Sequence, residues 1–116
     1  MLKSANHLKK NHDIMRVYRR GVYGSGSGLL SVKACPNGLP MSRAVVVVSK
    51  KIDKRAVIRN RIRRRLTGRL AEIWTTVPSG YDIVISVHAD LSDLLAQEIA
   101  SALNAALARA RVISVT

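Results

Sequence analysis

The sequence contains little of the chemistry that small enzymes use. Its 116 residues include no phenylalanine, one cysteine, one tryptophan and three histidines. The single cysteine, Cys35, cannot form an intrachain disulfide, which is typical of intracellular proteins. None of the histidines stands at a metal-ligand spacing from the cysteine or from an acid, and paired carboxylates for two metals are absent. The sequence therefore predicts that the protein supplies no catalytic residue and no metal ligand.

Long apolar runs are also missing. No stretch reaches the roughly 18 apolar residues that span a membrane, and the opening MLKSANHLKKNHDI lacks the apolar segment of a signal peptide. We therefore expect a cytoplasmic protein without a membrane partner. Hydrophobic residues still make up 47% of the chain, which argues against global disorder. At this length they predict one domain, residues 1–116, with its own core.

Acidic residues are scarce and are separated from the basic ones. Seven Asp and Glu oppose 20 Lys and Arg, which gives a net charge of +13. Residues 1–70 hold eighteen of the basic residues and only two acids, whereas residues 71–116 hold two and five. A charge that served only solubility would be spread along the chain. Its concentration predicts a binding face for nucleic acid.

Hydrophobic periodicity predicts a small α/β domain in which helices pack on a small sheet. Helices are expected at about Asn11–Arg20, from near Val57 to Ile73 or Trp74, and from Asp90 or Ser92 onward. The last helix carries an apolar stripe at every fourth residue: Leu91, Leu95, Ile99, Leu103 and Leu107. Strands are expected at Leu29–Ala34, Arg43–Lys50 and Tyr81–His88. The second and third strands are apolar on both faces, which predicts central positions.

The glycine-rich stretch GSGSG at Gly24–Gly28 is predicted to be a flexible loop. A phosphate-cradling loop is the alternative. That interpretation is disfavoured because the stretch lacks the Lys-Ser/Thr ending and the following helix of such loops.

The stretch KKIDKRAVIRNRIRRRL at Lys50–Leu66 holds nine of the twenty basic residues. On a helix, Ile58, Ile62, Leu66 and Ile73 form an apolar side. The side chains that point away from it are Asn60, Arg61, Arg63 and Arg64. Residues 54–71 contain no acid, although a merely solvated face usually mixes charges of both signs. Arginine also binds phosphate through two parallel hydrogen bonds. We interpret this helix as a nucleic-acid contact, with a solvated face as the alternative.

Few other residues suggest contacts with bases or with a scissile bond. Tyr18 on the first helix is the best stacking candidate, and ordinary core packing is its alternative. His7 and His12 lie among lysines, where a histidine pair could in principle cleave RNA by acid–base catalysis. Both lie close to the N-terminus, which argues against that role.

Together these residues resemble the bacterial ribonuclease P protein subunit. RNRIRRRL at Arg59–Leu66, preceded by VVVVSKK at Val45–Lys51, is similar to the family's arginine-rich signature. HLKKNHDIMRVYRRG at His7–Gly21 resembles its first helix, and YDIVISVH resembles its last strand. The resemblance implies an α-β-β-β-α-β-α two-layer α+β sandwich whose basic helix crosses, left-handed, between parallel strands. The general rule favours the right hand, so this handedness rests on the resemblance alone.

The resemblance also implies a function. Such a subunit joins a catalytic RNA that removes the 5′ leader of precursor tRNA, and the RNA performs the hydrolysis with Mg²⁺ that it mainly binds itself. No obligate protein partner is expected. The residues implied to contact the catalytic RNA are Lys50, Lys51, Arg55, Arg59, Asn60, Arg61, Arg63 and Arg64. Those implied for a leader-binding cleft are Ile14, Arg16, Tyr18, Arg19, Val32 and Lys33. The cleft is usually aromatic, but this chain has Ile14 and Val32 where rings are common.

Three other functions stay open on the sequence alone. A structural RNA-binding protein of the ribosome would share the small basic architecture without a cleft. A cationic DNA-binding protein would bind duplex DNA as tightly as structured RNA at the same salt concentration. A self-sufficient nuclease would cleave RNA without an RNA partner.

Overall fold

The described part of the chain forms three helices and four strands. The computed structural model describes residues 3–112. Its elements are α1 (Asn11–Arg20), β1 (Val22–Gly26), β2 (Leu30–Pro36), β3 (Arg43–Val47), α2 (Ala56–Ile73), β4 (Tyr81–Val87) and α3 (Ala96–Arg109), with short 3₁₀ turns at Ser4–Asn6 and Trp74–Thr76. This order confirms the predicted α-β-β-β-α-β-α arrangement. None of the helices in this part of the chain is long and apolar enough to cross a membrane.

The four strands form one mixed sheet in the order β1-β2-β4-β3. β4 runs antiparallel to β2 and parallel to β3, so α2 is the crossover between the two parallel strands. The prediction that Arg43–Lys50 is a central strand is wrong, because β3 lies at the edge of the sheet. Its apolar character has another cause: its two faces contribute to two different hydrophobic cores. Ala44 contributes to the core under α2, and Val45 packs in the core under α1.

The sheet separates two hydrophobic cores. The larger core joins alternate residues of β2, β3 and β4 to α2 and α3, and includes Val32, Ile62, Ile85 and Leu103, each 1% exposed or less. The smaller core, under α1, contains Leu8, Val17, Cys35 and Val84, with Ile14, Val45 and Val47 packed against it. Because side chains alternate between the faces of a strand, the register assigns every strand residue to one of the two faces.

The last helix begins later than the sequence predicted. The expected N-caps were Asp90 and Ser92, but α3 starts at Ala96 with Leu95 as its N-cap residue. Leu91 is fully buried, but Leu95 is 60% exposed, so the prediction that it belongs to the core stripe is wrong. The intervening segment is held by Arg65 of α2, whose guanidinium donates to the carbonyls of Leu91, Ser92 and Leu94. These tertiary hydrogen bonds replace the first helical turn that local propensity favours.

The glycine-rich stretch is largely a strand. The prediction of a flexible loop at Gly24–Gly28 is wrong for Gly24 and Gly26, which belong to β1 and pair with Val32 and Leu30 of β2. Both glycines face α3. A Cβ at Gly24 would lie 2.2 Å from the carbonyl oxygen of Ala106, and one at Gly26 would lie 2.2 Å from that of Ala102. The glycines therefore allow the helix to approach the strand backbone directly.

Replacing Gly26 with alanine should destabilise the protein by about 1–3 kcal/mol, because the added methyl group overpacks the contact between β1 and α3. Chemical denaturation measures the difference. A matched Gly68→Ala variant should be neutral or stabilising, since a Cβ at Gly68 meets no atom within 4 Å and alanine favours a helix. Equal stability of Gly26→Ala and the unmodified protein would contradict the close approach.

Candidate RNA-binding surfaces

The exposed side of α2 carries a surface that we call the arginine face, formed by Asn60, Arg61, Arg63 and Arg64. Asn60, Arg61 and Arg64 are exposed, and Arg63 is half-buried. The Arg63 guanidinium donates to the side-chain oxygen of Asn60, which orients both groups. On the opposite side of α2, Ile62, Leu66 and Leu70 are 0% exposed. The helix thus anchors on the sheet and leaves its cationic side chains pointing outward.

Two further arginines of α2 have structural partners. Arg59 donates to the carbonyl oxygens of Asp53 and Lys54, at 3.0 and 2.8 Å, and so fixes the loop before the helix. Arg65 holds the segment before α3, as described above. Arg59 was predicted to contact RNA, but its guanidinium already has these two acceptors. In this arrangement Arg59 positions the loop that carries Asp53 and Lys54.

The loop between β3 and α2 brings more cations to the same end of the domain. Lys50, Lys51 and Arg55 are all exposed. Arg55 forms two hydrogen bonds with the carboxylate of Asp53, at 3.1 and 3.0 Å. Hydrogen bonds from the side chain and the backbone of Arg55 lower the pKa of Asp53 to about 2. Asp53 therefore stays ionised and neutralises Arg55 in part, which leaves the two lysines as the stronger phosphate candidates.

A second surface lies between α1 and the sheet face that α1 partly covers. Ile14 is half-buried in the small core, Arg19 is exposed, and Tyr18 is 36% exposed. Lys33 of β2 reaches α1 and donates to the carbonyl oxygen of Tyr18 at 2.8 Å. We call this surface the cleft: Ile14, Tyr18 and Arg19 lie on its α1 side and Lys33 lies on its sheet side.

Val32 does not belong to this cleft. Its side chain is 0% exposed in the larger core, on the sheet face that packs against α2 and α3. The prediction that placed it on the cleft floor is wrong because Val32 and Lys33 are consecutive strand residues and point to opposite faces. The residue on the cleft side is Lys33.

The structure adds an aromatic residue that the sequence analysis did not assign. Tyr23 of β1 pairs directly with Lys33 of β2, so the two side chains share the cleft face of the sheet. Its side chain is 56% exposed. In the stretch VYGSG, Gly24 and Gly26 face α3 and Tyr23 faces the other side of the sheet. This alternation is the sequence signal that identifies Tyr23. The cleft thus carries two tyrosines, Tyr18 on the helix and Tyr23 on the sheet.

Beneath α1 lies an ionic network centred on Asp82, which is 0% exposed. Arg43 donates two hydrogen bonds to its carboxylate, at 2.8 and 2.7 Å. Arg16 of α1 adds one at 3.0 Å and Asn37 another at 2.9 Å. Arg16 also lies 3.5 Å from Asp13. Arg16 was predicted to contact the leader, but its guanidinium serves mainly to tie α1 to the sheet.

The network sets the ionisation of its central carboxylate. Burial on its own raises the pKa of Asp82, but the hydrogen bonds from Arg43 and Asn37 and the charge of Arg43 outweigh it. The pKa of Asp82 is therefore lowered, and the group is a carboxylate with its acceptor sites filled by arginine and amide donors. Such a carboxylate is not available as a metal ligand or as a general base.

The histidines occupy separate environments. The Nε2 atom of His88 lies 2.8 Å from the hydroxyl of Ser31 at the far end of the sheet, and His12 lies 3.4 Å from Asp13. His7 lies beside β3, where its backbone pairs with that of Ala44 in the parallel direction. Among residues 3–112, no three His, Cys, Asp or Glu side chains are grouped as a metal ion would require.

Comparison with known proteins identifies relatives along nearly the whole chain. A family model described as ribonuclease P matches residues 2–111. The ribonuclease P protein component of Pseudanabaena sp. is 32% identical over 113 residues, covering 97% of this chain and 97% of its own. That of Dehalococcoides mccartyi is 34% identical over 116 residues and covers 99% and 92%. The solved Staphylococcus aureus RNase P protein superposes with a TM-score of 0.82 at 27% identity, covering 96% of this chain and 100% of its own.

Proposed function

The chain belongs to the ribonuclease P protein family, and on that premise we propose that it is the protein subunit of a ribonuclease P. In this proposal it binds a catalytic RNA through the arginine face and the 5′ leader of precursor tRNA through the cleft. It thereby assists the endonucleolytic maturation of tRNA in the cytoplasm. The chemistry belongs to the RNA. The protein contributes binding and position, without an obligate protein partner.

The observation that carries the proposal is the arginine face. Three guanidinium groups and one amide lie on one side of a helix whose other side is fully buried. The only acid of α2 is Glu72, near its end, where it pairs with Arg69 at 2.8 Å. An RNA backbone can therefore approach the arginine face without meeting a carboxylate.

Magnesium has a place in the proposal as an ion held mainly by the RNA. The acidic residues nearest the cleft, Asp13 and Asp82, face Arg16 and Arg43. These neighbours make a poor cation site, because a divalent ion would have to displace arginine donors. By neutralising phosphates, the protein would let the RNA fold and bind its ions at a lower magnesium concentration.

The cleft distinguishes this proposal from a structural ribosomal role. A ribosomal protein needs no surface that reads a single strand, whereas here Tyr23 pairs with Lys33 on the sheet and Lys33 reaches the backbone of Tyr18 on α1. Aromatic side chains on which bases stack, combined with nearby cations, are typical of single-strand binding. Equilibrium competition between a bacterial ribonuclease P RNA and ribosomal RNA fragments tests the choice. Tighter binding to the ribosomal RNA would contradict the proposal.

Replacing Tyr18 or Tyr23 with alanine should weaken binding of precursor tRNA by the assembled enzyme, because each tyrosine would lose one stacked base. The expected loss is about 1 kcal/mol or more for each tyrosine. Binding of mature tRNA, which has no leader, should not change. Titration of the holoenzyme with the two substrates measures both affinities.

A matched control is Val22→Ala, which removes an exposed apolar side chain from the same strand on its opposite face. This variant should bind both substrates normally. Equal losses for precursor and mature tRNA in the tyrosine variants would contradict a role of the cleft in leader binding.

A further inference from the structure

A groove lies between the N-terminal segment, the edge strand β3 and α2. We call it the edge groove. Its inner part has a volume of about 200 Å³ and an apolar floor that includes Ala44, Val46 and Leu70. Its outer part, of about 420 Å³, opens between His7, Arg63, Arg64 and Gly68. His7, Arg63 and Thr67 line both parts.

One wall of the groove offers unused backbone hydrogen-bonding groups. On the outer side of β3, the carbonyl of Ala44 accepts a hydrogen bond from the Leu8 amide at 2.9 Å. Alternate residues of a strand direct their amide and carbonyl groups to the same side, so those of Val46 also point outward. Among residues 3–112, no partner for the Val46 backbone is found on that side. A donor and an acceptor therefore stand together at the inner end of the groove.

The opposite wall contains Gly68, a position at which internal packing does not require glycine. Gly68 lies inside α2, where glycine is unfavourable relative to alanine. A Cβ added there would meet no atom within 4 Å, in contrast to Gly24 and Gly26. Internal packing therefore does not explain this residue. A glycine facing open space in a helix fits close approach of a ligand to the helix backbone.

We propose that the edge groove receives one unpaired nucleotide of the RNA bound by the arginine face. The base would stack on the His7 imidazole and hydrogen-bond to the amide and carbonyl of Val46. Its flanking phosphates would lie against Arg63 and Arg64, and Gly68 would leave room for the sugar. This inference rests on the proposed function and adds to it a base-reading position beside the phosphate contacts.

The chemistry of the groove favours a nucleotide over a peptide strand. A peptide that extended the sheet along β3 would need several free backbone groups in a row, but the N-terminal segment already takes the Ala44 carbonyl. The groove is also lined by two arginines and no acid, which matches a phosphodiester. Unpaired bases are typically recognised by stacking on rings, including histidine, together with hydrogen bonds to their edges.

The test uses the full chain and a transcript of a bacterial ribonuclease P RNA. Gly68→Leu fills the groove at its mouth, and His7→Ala removes the ring. Each should weaken RNA binding about tenfold, the effect of one lost stacked base. Chemical probing of unpaired bases should show a nucleotide that the unmodified protein protects and both variants expose. The salt dependence of the dissociation constant should not change, because no phosphate contact is lost.

Stability measurements separate these effects from misfolding. Gly68→Leu should raise the melting temperature, since leucine favours a helix over glycine and a Cβ at this position meets no atom within 4 Å. A variant that is more stable yet binds RNA less tightly cannot be explained by unfolding. Asn104→Leu adds the same side chain at an exposed position of α3 and should leave RNA binding and protection unchanged.

The outcomes distinguish the two proposals. If the unmodified protein binds the RNA and both variants keep its affinity and protection pattern, the nucleotide site is wrong and the proposed function stands. If the unmodified protein has no preference for the ribonuclease P RNA, the proposed function fails and the nucleotide site fails with it. If Gly68→Leu changes only self-association in sedimentation experiments, the groove binds a second copy of the chain, which also overturns the nucleotide site.

Discussion

Replacing Asp82 with asparagine should lower the free energy of unfolding by about 3–5 kcal/mol at neutral pH. Asp82 is fully buried, and its carboxylate accepts four hydrogen bonds, three of them from Arg43 and Arg16. The variant keeps the size of the side chain but removes the closest anion of both guanidinium groups, which leaves each of them with Asp13 at 3.5 Å. Removing one partner of a buried ion pair has a cost of this size. Denaturation with urea at pH 7 measures the loss.

The same carboxylate makes the stability depend on pH. Its pKa is lower in the folded protein, so the folded state gains stability when the group is ionised. That contribution is complete well above the pKa of an unfolded aspartate, about 3.9, and is lost as the pH falls through the lower folded value. The stability difference between the unmodified protein and Asp82→Asn should therefore be constant near neutral pH and should shrink below about pH 4.

Glu72→Gln is the matched control for Asp82→Asn. It also removes one carboxylate that pairs with an arginine, but Glu72 is 57% exposed. The expected loss is less than about 1 kcal/mol. Equal effects of the two variants would show that burial of the Asp82 network contributes nothing to the stability of the fold.

The combined replacement of Arg61 and Arg64 with alanine should have the largest effect on RNA binding. Each arginine is exposed and has no carboxylate partner among the described residues. A lost charged contact with phosphate costs about 1–3 kcal/mol, so each replacement should raise the dissociation constant roughly 5- to 150-fold. The slope of affinity against salt concentration should fall by about one per lost phosphate contact. Binding to a ribonuclease P RNA at several salt concentrations measures both quantities.

The control for this pair is the replacement of Arg109 and Arg111, which removes the same charge from the other end of the chain. It should change RNA binding only slightly, because long-range attraction is screened by salt. Similar losses in the two double variants would mean that net charge, and not the arginine face, determines binding. In the Arg61 and Arg64 variant the fold should be retained, since both side chains point away from the buried side of α2.

The helices were the part of the fold that the sequence could predict. The bounds of α1 match the expected Asn11–Arg20, and α2 begins one residue before the expected Val57. Both helices carry a clear periodicity because one side packs on the sheet and the other faces solvent. The start of α3 could not be predicted in this way, since it depends on Arg65, which is 26 residues away from Leu91 in the chain.

The sheet was harder to predict because strands that pair with each other can lie far apart in the sequence. The apolar run around Val45 indicates a strand with two buried faces, but it does not distinguish an edge strand that joins two cores from a central strand. The resemblance placed both Val32 and Lys33 in the cleft, but consecutive strand residues point to opposite faces, and Lys33 is the one that faces it. Gly24 and Gly26 resemble loop residues in the sequence because their packing partner, α3, lies about 80 residues further along the chain.

For the candidate sites, the sequence indicated the cations but not their separate tasks. The number and spacing of basic residues do not distinguish the role of Arg61 from that of Arg59. In the structure, Arg61 points outward, whereas Arg59 holds the loop before α2. Tyr23 was not assigned to a site because it stands directly before the stretch Gly24–Gly28, which was predicted to be a loop. Its place beside Lys33 follows only from the pairing of β1 with β2.

Cleavage of a precursor tRNA by a bacterial ribonuclease P RNA, with and without this protein, tests the central claim most directly. The magnesium concentration should be low, so that the RNA alone is almost inactive, and the protein alone should be included as a control. We expect strong stimulation that requires the RNA, removal of the 5′ leader at the mature end, and no cleavage by the protein alone. An absence of stimulation, together with tight binding to ribosomal RNA, would contradict the proposed subunit role and favour a structural protein.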